Sequence, residues 1–119
     1  MIGTAGLQDL EVECIVGIHP HERETRQSVF FDIDLDYDFA PAATPDAIGG
    51  AVDYTRAASA VTELAGRRGF QLIETMAEET AAMLLAQFPQ VRRVRIEIRK
   101  PAAVPAADCA FVRLERARS

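Results

Sequence analysis

A lysine, a tyrosine and two glutamates account for most of the chemistry this chain can offer. Lys100 closes a strand-like run, Arg93 to Arg99, on the parity that otherwise carries Val94, Ile96 and Ile98. Successive side chains of an extended strand point to opposite faces, so this phase places the ammonium where burial is expected. A desolvated lysine has a lowered pKa and can act as a base near neutrality. The competing reading ends the run at Arg99 and turns Lys100 back to water ahead of Pro101. Three further segments carry reactive groups. The loop Gly17-Ile18-His19-Pro20-His21-Glu22 packs two imidazoles and a carboxylate between two strands, where loops commonly hold functional residues. Tyr54 follows Asp53 at a helix start, where its phenol can relay a proton or pack the first turn. Glu74 sits against Leu72-Ile73 at the next helix start, a place where a carboxylate also complements the helix dipole.

The elements that hold these residues follow from periodicity. Leu10, Val12, Cys14 and Val16 share one parity of a strand running from Leu7 to Val16, opposite Glu11 and Glu13. The strand from Val29 to Phe39 alternates Val29, Phe31, Ile33, Leu35, Tyr37 and Phe39 with Phe30 and four aspartates. Those aspartates need water or cations, and the arginine face of the Arg93 to Arg99 strand is a natural complement. Residues 40–52, with two prolines and two glycines, read as a connecting loop. Asp53 caps a helix that reaches Arg67 or Arg68 and stops at Gly69. A second helix, about Leu72 to Gln87, presents Ile73, Met76, Ala77, Thr80, Met83, Leu84 and Phe88. The Lys100 strand and a last strand, Cys109 to Arg116, complete a β-β-α-α-β-β order. That order implies an α+β fold, an antiparallel four-stranded sheet with both helices on one face. Its two open edges invite pairing with other subunits, and a cyclic oligomer would close them as a barrel.

Composition narrows the function classes. The 119 residues fit a single domain, 1–119, with 49% hydrophobic and 26% charged residues. A balance of 13 basic against 18 acidic residues, net −5, argues against a general nucleic-acid binder. The absence of an apolar span or a basic, apolar leader in MIGTAGLQDL leads to the expectation of a soluble cytoplasmic protein without membrane partners. Cys14 and Cys109 read as core thiols, since no close metal spacing accompanies them. The His19, His21 and Glu22 cluster has no companion motif, so solvated histidines are expected in preference to a metal site.

Taken together, the Gly17 to Glu22 loop, Asp53-Tyr54, Leu72-Ile73-Glu74, and Lys100-Pro101 followed by Ala103-Val104 resemble the dihydroneopterin aldolase family of folate biosynthesis. The resemblance spans nearly the whole chain, from the Leu7 strand to Leu114-Glu115-Arg116. It implies the tunnelling fold, in which subunits form a barrel ring and two rings stack as a homo-octamer, with a tetramer as the alternative. It also implies a retro-aldol cleavage of a pterin substrate, without metal or cofactor, in pockets between subunits. By the same resemblance Lys100 is the general base, Tyr54 belongs to the proton relay, and Glu22 is the loop glutamate near the reacting side chain. Glu74 anchors the pterin, flanked by Leu72 and Ile73. Two positions depart from the family: Ala102 follows Pro101 where glycine is frequent, and His19 stands where the loop often holds tyrosine. A dihydroneopterin triphosphate epimerase shares the fold and most of these residues, and is the nearest alternative. An alternative of another class is a non-catalytic module that binds through the Arg92 to Lys100 strand.

Overall fold

The computed structural model describes all 119 residues. Four strands, β1 (Ile2–Cys14), β2 (Gln27–Asp38), β3 (Arg93–Lys100) and β4 (Ala110–Ala117), form one antiparallel sheet in chain order. Four helices connect them: α1 (Pro20–Glu24), α2 (Ala40–Ala43), α3 (Tyr54–Arg68) and α4 (Ile73–Gln87). The long helices lie on the same sheet face, α3 against β1 and α4 against β3 and β4. Between sheet and helices the buried core includes Val12, Phe31, Ile33, Leu35, Val61, Met76, Leu84, Val94, Ile96 and Ile98. No helix is long and apolar enough to cross a membrane.

The two long helices start and stop where the sequence places them. Asp53 accepts hydrogen bonds from the Thr55 and Arg56 amides at 3.0 and 3.4 Å, a cap worth about 1 kcal/mol. Gly69 ends α3 in the left-handed conformation, φ 59°. The buried stripe of α4 adds Ala81 and Leu85 to the expected set, whereas Met83 is only half-buried against the core.

Three elements depart from expectation. Strand β1 begins at Ile2 rather than Leu7, because one extra residue between Leu7 and Leu10 forms a bulge opposite Asp32, with Asp9 at φ 54°. The bulge switches the inward parity from Ala5 and Leu7 to Leu10 and Val12, which hides the first half of the strand from an alternation pattern. The 40–52 segment holds α2 and a single 3-10 turn, Ile48–Gly50, rather than plain loop. The Gly17 to Glu22 stretch is likewise partly helical, ending inside α1.

The aspartates of β2 meet the arginines of β3 as the alternation implies. Asp34 lies opposite Arg95, whose guanidinium bonds Asp36 at 2.8 Å twice, and Arg99 reaches diagonally to Asp32 at 2.8 Å and to Glu97 at 2.5 Å. Arg99 also bonds Asp9 of the bulge. These pairings occupy the face that a basic binding module would need, and they hold the Asp32, Asp36 and Glu97 carboxyls below their ordinary pKa values, chiefly through the arginine hydrogen bonds. Cys14 is a buried free thiol of the core; Cys109 is also free, but sits half-buried just ahead of β4 rather than in the core.

Candidate active site

Lys100 is the last residue of β3, in register with Ala110 of β4, so the strand does not end early. Its side chain is 12% exposed, as the phase predicts. Its surroundings are not purely apolar, however. Nζ lies 2.6 Å from Oε2 of Glu22, and the ammonium is held by a carboxylate as well as by burial beside Ile98.

Glu22 owes its place to local backbone geometry. It is the third residue of α1, where its Oε1 accepts the His19 amide at 3.2 Å, a reciprocal contact that locks the first turn. Oε2 also accepts Gln27 Nε2 at 3.2 Å, and Gln27 in turn donates to the Val16 carbonyl at 2.8 Å. The residue is only 8% exposed. The hydrogen bond from Lys100, then those from Gln27 and His19, hold its carboxyl down from 4.5 to about 2.

The sign of that shift gives a pH prediction. Glu22 binds its proton more weakly folded than unfolded, so its contribution to stability is complete above about pH 4.5 and is lost as pH falls toward 2. Melting temperatures measured from neutral pH downward should fall through this window. Asp32, Asp36, Asp38 and Glu97 titrate in the same direction. The Glu22 share is therefore read as the difference from Glu22→Gln, whose fall should be shallower; equal slopes would remove the ion pair from the stability of the site.

Gly17 makes the close packing of this carboxylate possible. It adopts φ 128°, and a Cβ there would lie 2.2 Å from Glu22 Cδ. Gly17→Ala should displace Glu22 from Lys100 and lower kcat by at least about tenfold, since small misplacements of catalytic groups are costly. A wild-type kcat in that variant would show that the carboxylate's position is not critical.

Around the ion pair a cleft of about 190 Å³ is lined by Gly17, His19, Leu72, Ile73 and Glu74, together with Ala103 and Ala110, the latter paired with Lys100 across the sheet. Leu72 is the residue preceding α4 and is 47% exposed; Ile73 is buried beneath it, and Glu74 is exposed in the first turn. Three of the four segments singled out in the sequence thus converge. The fourth does not. Tyr54 opens α3 and is 57% exposed, whereas the cleft lies past the other end of that helix, one helix length or roughly 20 Å away. His19 and His21 are exposed and stack at 5.8 Å, ring on ring. A larger concavity of about 530 Å³ on the helix-free face of the sheet is lined by the paired charges of Asp34, Arg95, Glu97 and Arg113 and brings no reactive group together.

Two residues that sequence reasoning passes over support the site. Gln27 orients Glu22 as described. Arg23 donates to the carbonyls of Gly17, Phe70 and Gly69 at 3.0, 3.0 and 2.7 Å. The signal for Gln27 lies in its position facing Cys14 across the β1–β2 pair; Arg23 bonds only backbone atoms and leaves no pattern in the sequence.

The family model described as "Dihydroneopterin aldolase" matches residues 6–115 of this chain. A dihydroneopterin aldolase of Methylorubrum extorquens is 34% identical over 105 residues, which cover 87% of this chain and 81% of that protein. The crystal structure of Escherichia coli dihydroneopterin aldolase in complex with neopterin superposes with a TM-score of 0.91 at 32% identity, covering 96% of this chain and 98% of that one. The dihydroneopterin aldolase of Burkholderia thailandensis bound to guanine gives a TM-score of 0.84 at 28% identity, covering 99% and 93%. Proteins similar to this one at such coverage are named as aldolases, and neither the epimerase nor the non-catalytic alternative is favoured. The chain belongs to the dihydroneopterin aldolase family.

Proposed function

We propose that this carbon–carbon lyase cleaves dihydroneopterin with Lys100 as its base, and the observation that carries the assignment is the Glu22–Lys100 pair at the cleft that Leu72 and Glu74 also line. The side chain of the substrate breaks between its first two carbons. Lys100, as the free amine, takes the proton of the second hydroxyl; that carbon becomes the aldehyde of glycolaldehyde, and the bonding electrons flow into the C=N of the dihydropterin ring. Reprotonation of the first carbon, with Tyr54 passing the proton directly or through a water, gives hydroxymethyl-dihydropterin. The substrate's ring serves as the electron sink, so a lysine Schiff base has no step to perform.

Glu22 holds the ammonium of Lys100 until substrate arrives; as the diol takes over the carboxylate, the ammonium gives its proton to water and the neutral amine faces the second hydroxyl. Glu74 suits the amide and amino edge of the pterin, because a carboxylate accepts two parallel N–H bonds and the start of α4 supports its charge. Leu72 and Ile73 supply the apolar floor. The neopterin and guanine complexes of the related aldolases support a ligand with that edge.

A single chain supplies only part of this site. The cleft is smaller than the roughly 300–1,000 Å³ usual for ligand pockets. Ile18 and Leu72, both exposed, give it an apolar rim, and the outer edges of β1 and β4 are unpaired. Pairing those edges between copies would close a barrel and bring Tyr54 of a neighbouring copy to the rim. The reading is a cytoplasmic homo-octamer of two such rings, with the single tetrameric ring as the alternative. Incubation with dihydroneopterin and chromatography of the products tests the reaction. Equal amounts of hydroxymethyl-dihydropterin and glycolaldehyde are expected, whereas inverted substrate without glycolaldehyde would mark an epimerase.

A further inference from the structure

We infer that Arg23 is a positioning residue that sets the spacing between the Glu22–Lys100 pair and the pterin-anchoring start of α4. Its guanidinium joins two segments far apart in sequence. Nη1 bonds the Gly17 and Phe70 carbonyls, each at 3.0 Å, and Nη2 bonds the Gly69 carbonyl at 2.7 Å. The Gly17 amide adds a fourth link, donating to the Phe70 carbonyl at 3.1 Å. On one side of this knot Glu22 precedes Arg23 in α1, and Gly17 packs against the Glu22 carboxylate. On the other, Phe70 is followed at once by Gln71, Leu72, Ile73 and Glu74. The segment that carries Glu22 and the one that opens α4 are therefore tied by this one side chain and a single backbone bond.

The chemistry of the fork explains why an arginine serves here. A guanidinium is planar, with donors in fixed directions, and it can satisfy three carbonyls at once while holding them apart at a set distance. Arg23 makes no ion pair with any carboxylate, so its donors are spent on geometry. The side chain is exposed, and its removal leaves the buried core intact. Losing it should therefore let α1 shift against the start of α4 while both elements persist. Pterin binding, which uses α4, should survive better than catalysis, which needs both sides in register.

The inference rests on the proposed roles of Lys100, Glu22 and Glu74, and its test separates the two. Arg23→Met and Arg23→Lys, made in the full chain, are assayed for kcat, KM, affinity for hydroxymethyl-dihydropterin and melting temperature, beside Lys100→Ala. Arg23→Met should lose roughly ten- to a hundredfold in kcat, with KM and product affinity within about threefold of wild type. Arg23→Lys, which keeps the charge and part of the bonding, should recover part of that loss, and it decides the matter if the methionine variant does not fold. Both folded variants keeping kcat within about twofold would overturn the positioning role, as would a loss of activity equal to the loss of folded protein. If Lys100→Ala turned over normally in the same assay, the site assignment would fall, and this failure is distinct from the first.

Discussion

Lys100→Ala is expected to lower kcat for dihydroneopterin cleavage by roughly 10³-fold, the scale of a lost general base, with affinity for the pterin product little changed. The proposed base and the proposed pterin anchor lie on different elements, β3 and the start of α4, so the two effects should separate. One complication is built into the site. Removing the ammonium strands the Glu22 carboxylate at 8% exposure, and breaking a buried pair in this way costs about 3–5 kcal/mol. The single variant should therefore melt earlier as well as turn over slowly. The double variant Lys100→Ala/Glu22→Gln removes the stranded charge and should regain stability without regaining activity. A double variant that cleaved substrate at the wild-type rate would dispose of Lys100 as the base.

Tyr54→Phe should be nearly as damaging, roughly 10²-fold in kcat, if the phenol reprotonates the intermediate. The larger expected effect appears on mixing. Within one chain Tyr54 opens α3 while Lys100, at the end of β3, lines the cleft past the other end of that helix, so in the proposed mechanism the two meet only across copies. Unfolding and co-refolding equal amounts of Tyr54→Phe and Lys100→Ala chains should restore about a quarter of wild-type activity, because each half of a site is intact with even odds in a symmetric assembly. Mixed oligomers that stayed as inactive as either parent would place both residues in a site of one chain, whereas a fully active Tyr54→Phe parent would place Tyr54 outside it.

How much of this was legible beforehand depends on the range over which each feature is encoded. Strand β2 and both long helices follow from local signals: strict alternation, the Asp53 cap, the Gly69 stop. Burial of Lys100 was one of two readings its phase allowed, and its pairing with Ala110 of β4 decides between them. Resemblance brought Glu22 into the site, but its pairing with Lys100 was not legible, because the two lie 78 positions apart and only the fold brings them together. The first half of β1 was hidden by a bulge that reverses parity, with Gly3 and Gly6 further weakening the strand pattern. Helix α1 is too short for periodicity to register. Arg23 escaped for a different reason: its partners are carbonyls, which every residue has.

The commitment of every cation near the cleft has a consequence for which molecules the enzyme admits. Lys100 is taken by Glu22 and Arg23 by three carbonyls, so this chain's share of the pocket leaves two carboxylates, Glu22 and Glu74, and no arginine or lysine to meet an incoming anion. A neutral polyol tail meets acceptors it can donate to. A tail ending in phosphates would bring several negative charges toward carboxylates in a poorly screened cleft. With Glu22 and Glu74 in their proposed roles, this chain's half of the pocket disfavours a phosphorylated tail, so a pterin made in phosphorylated form is expected to need phosphate-ester hydrolysis before it is cleaved here.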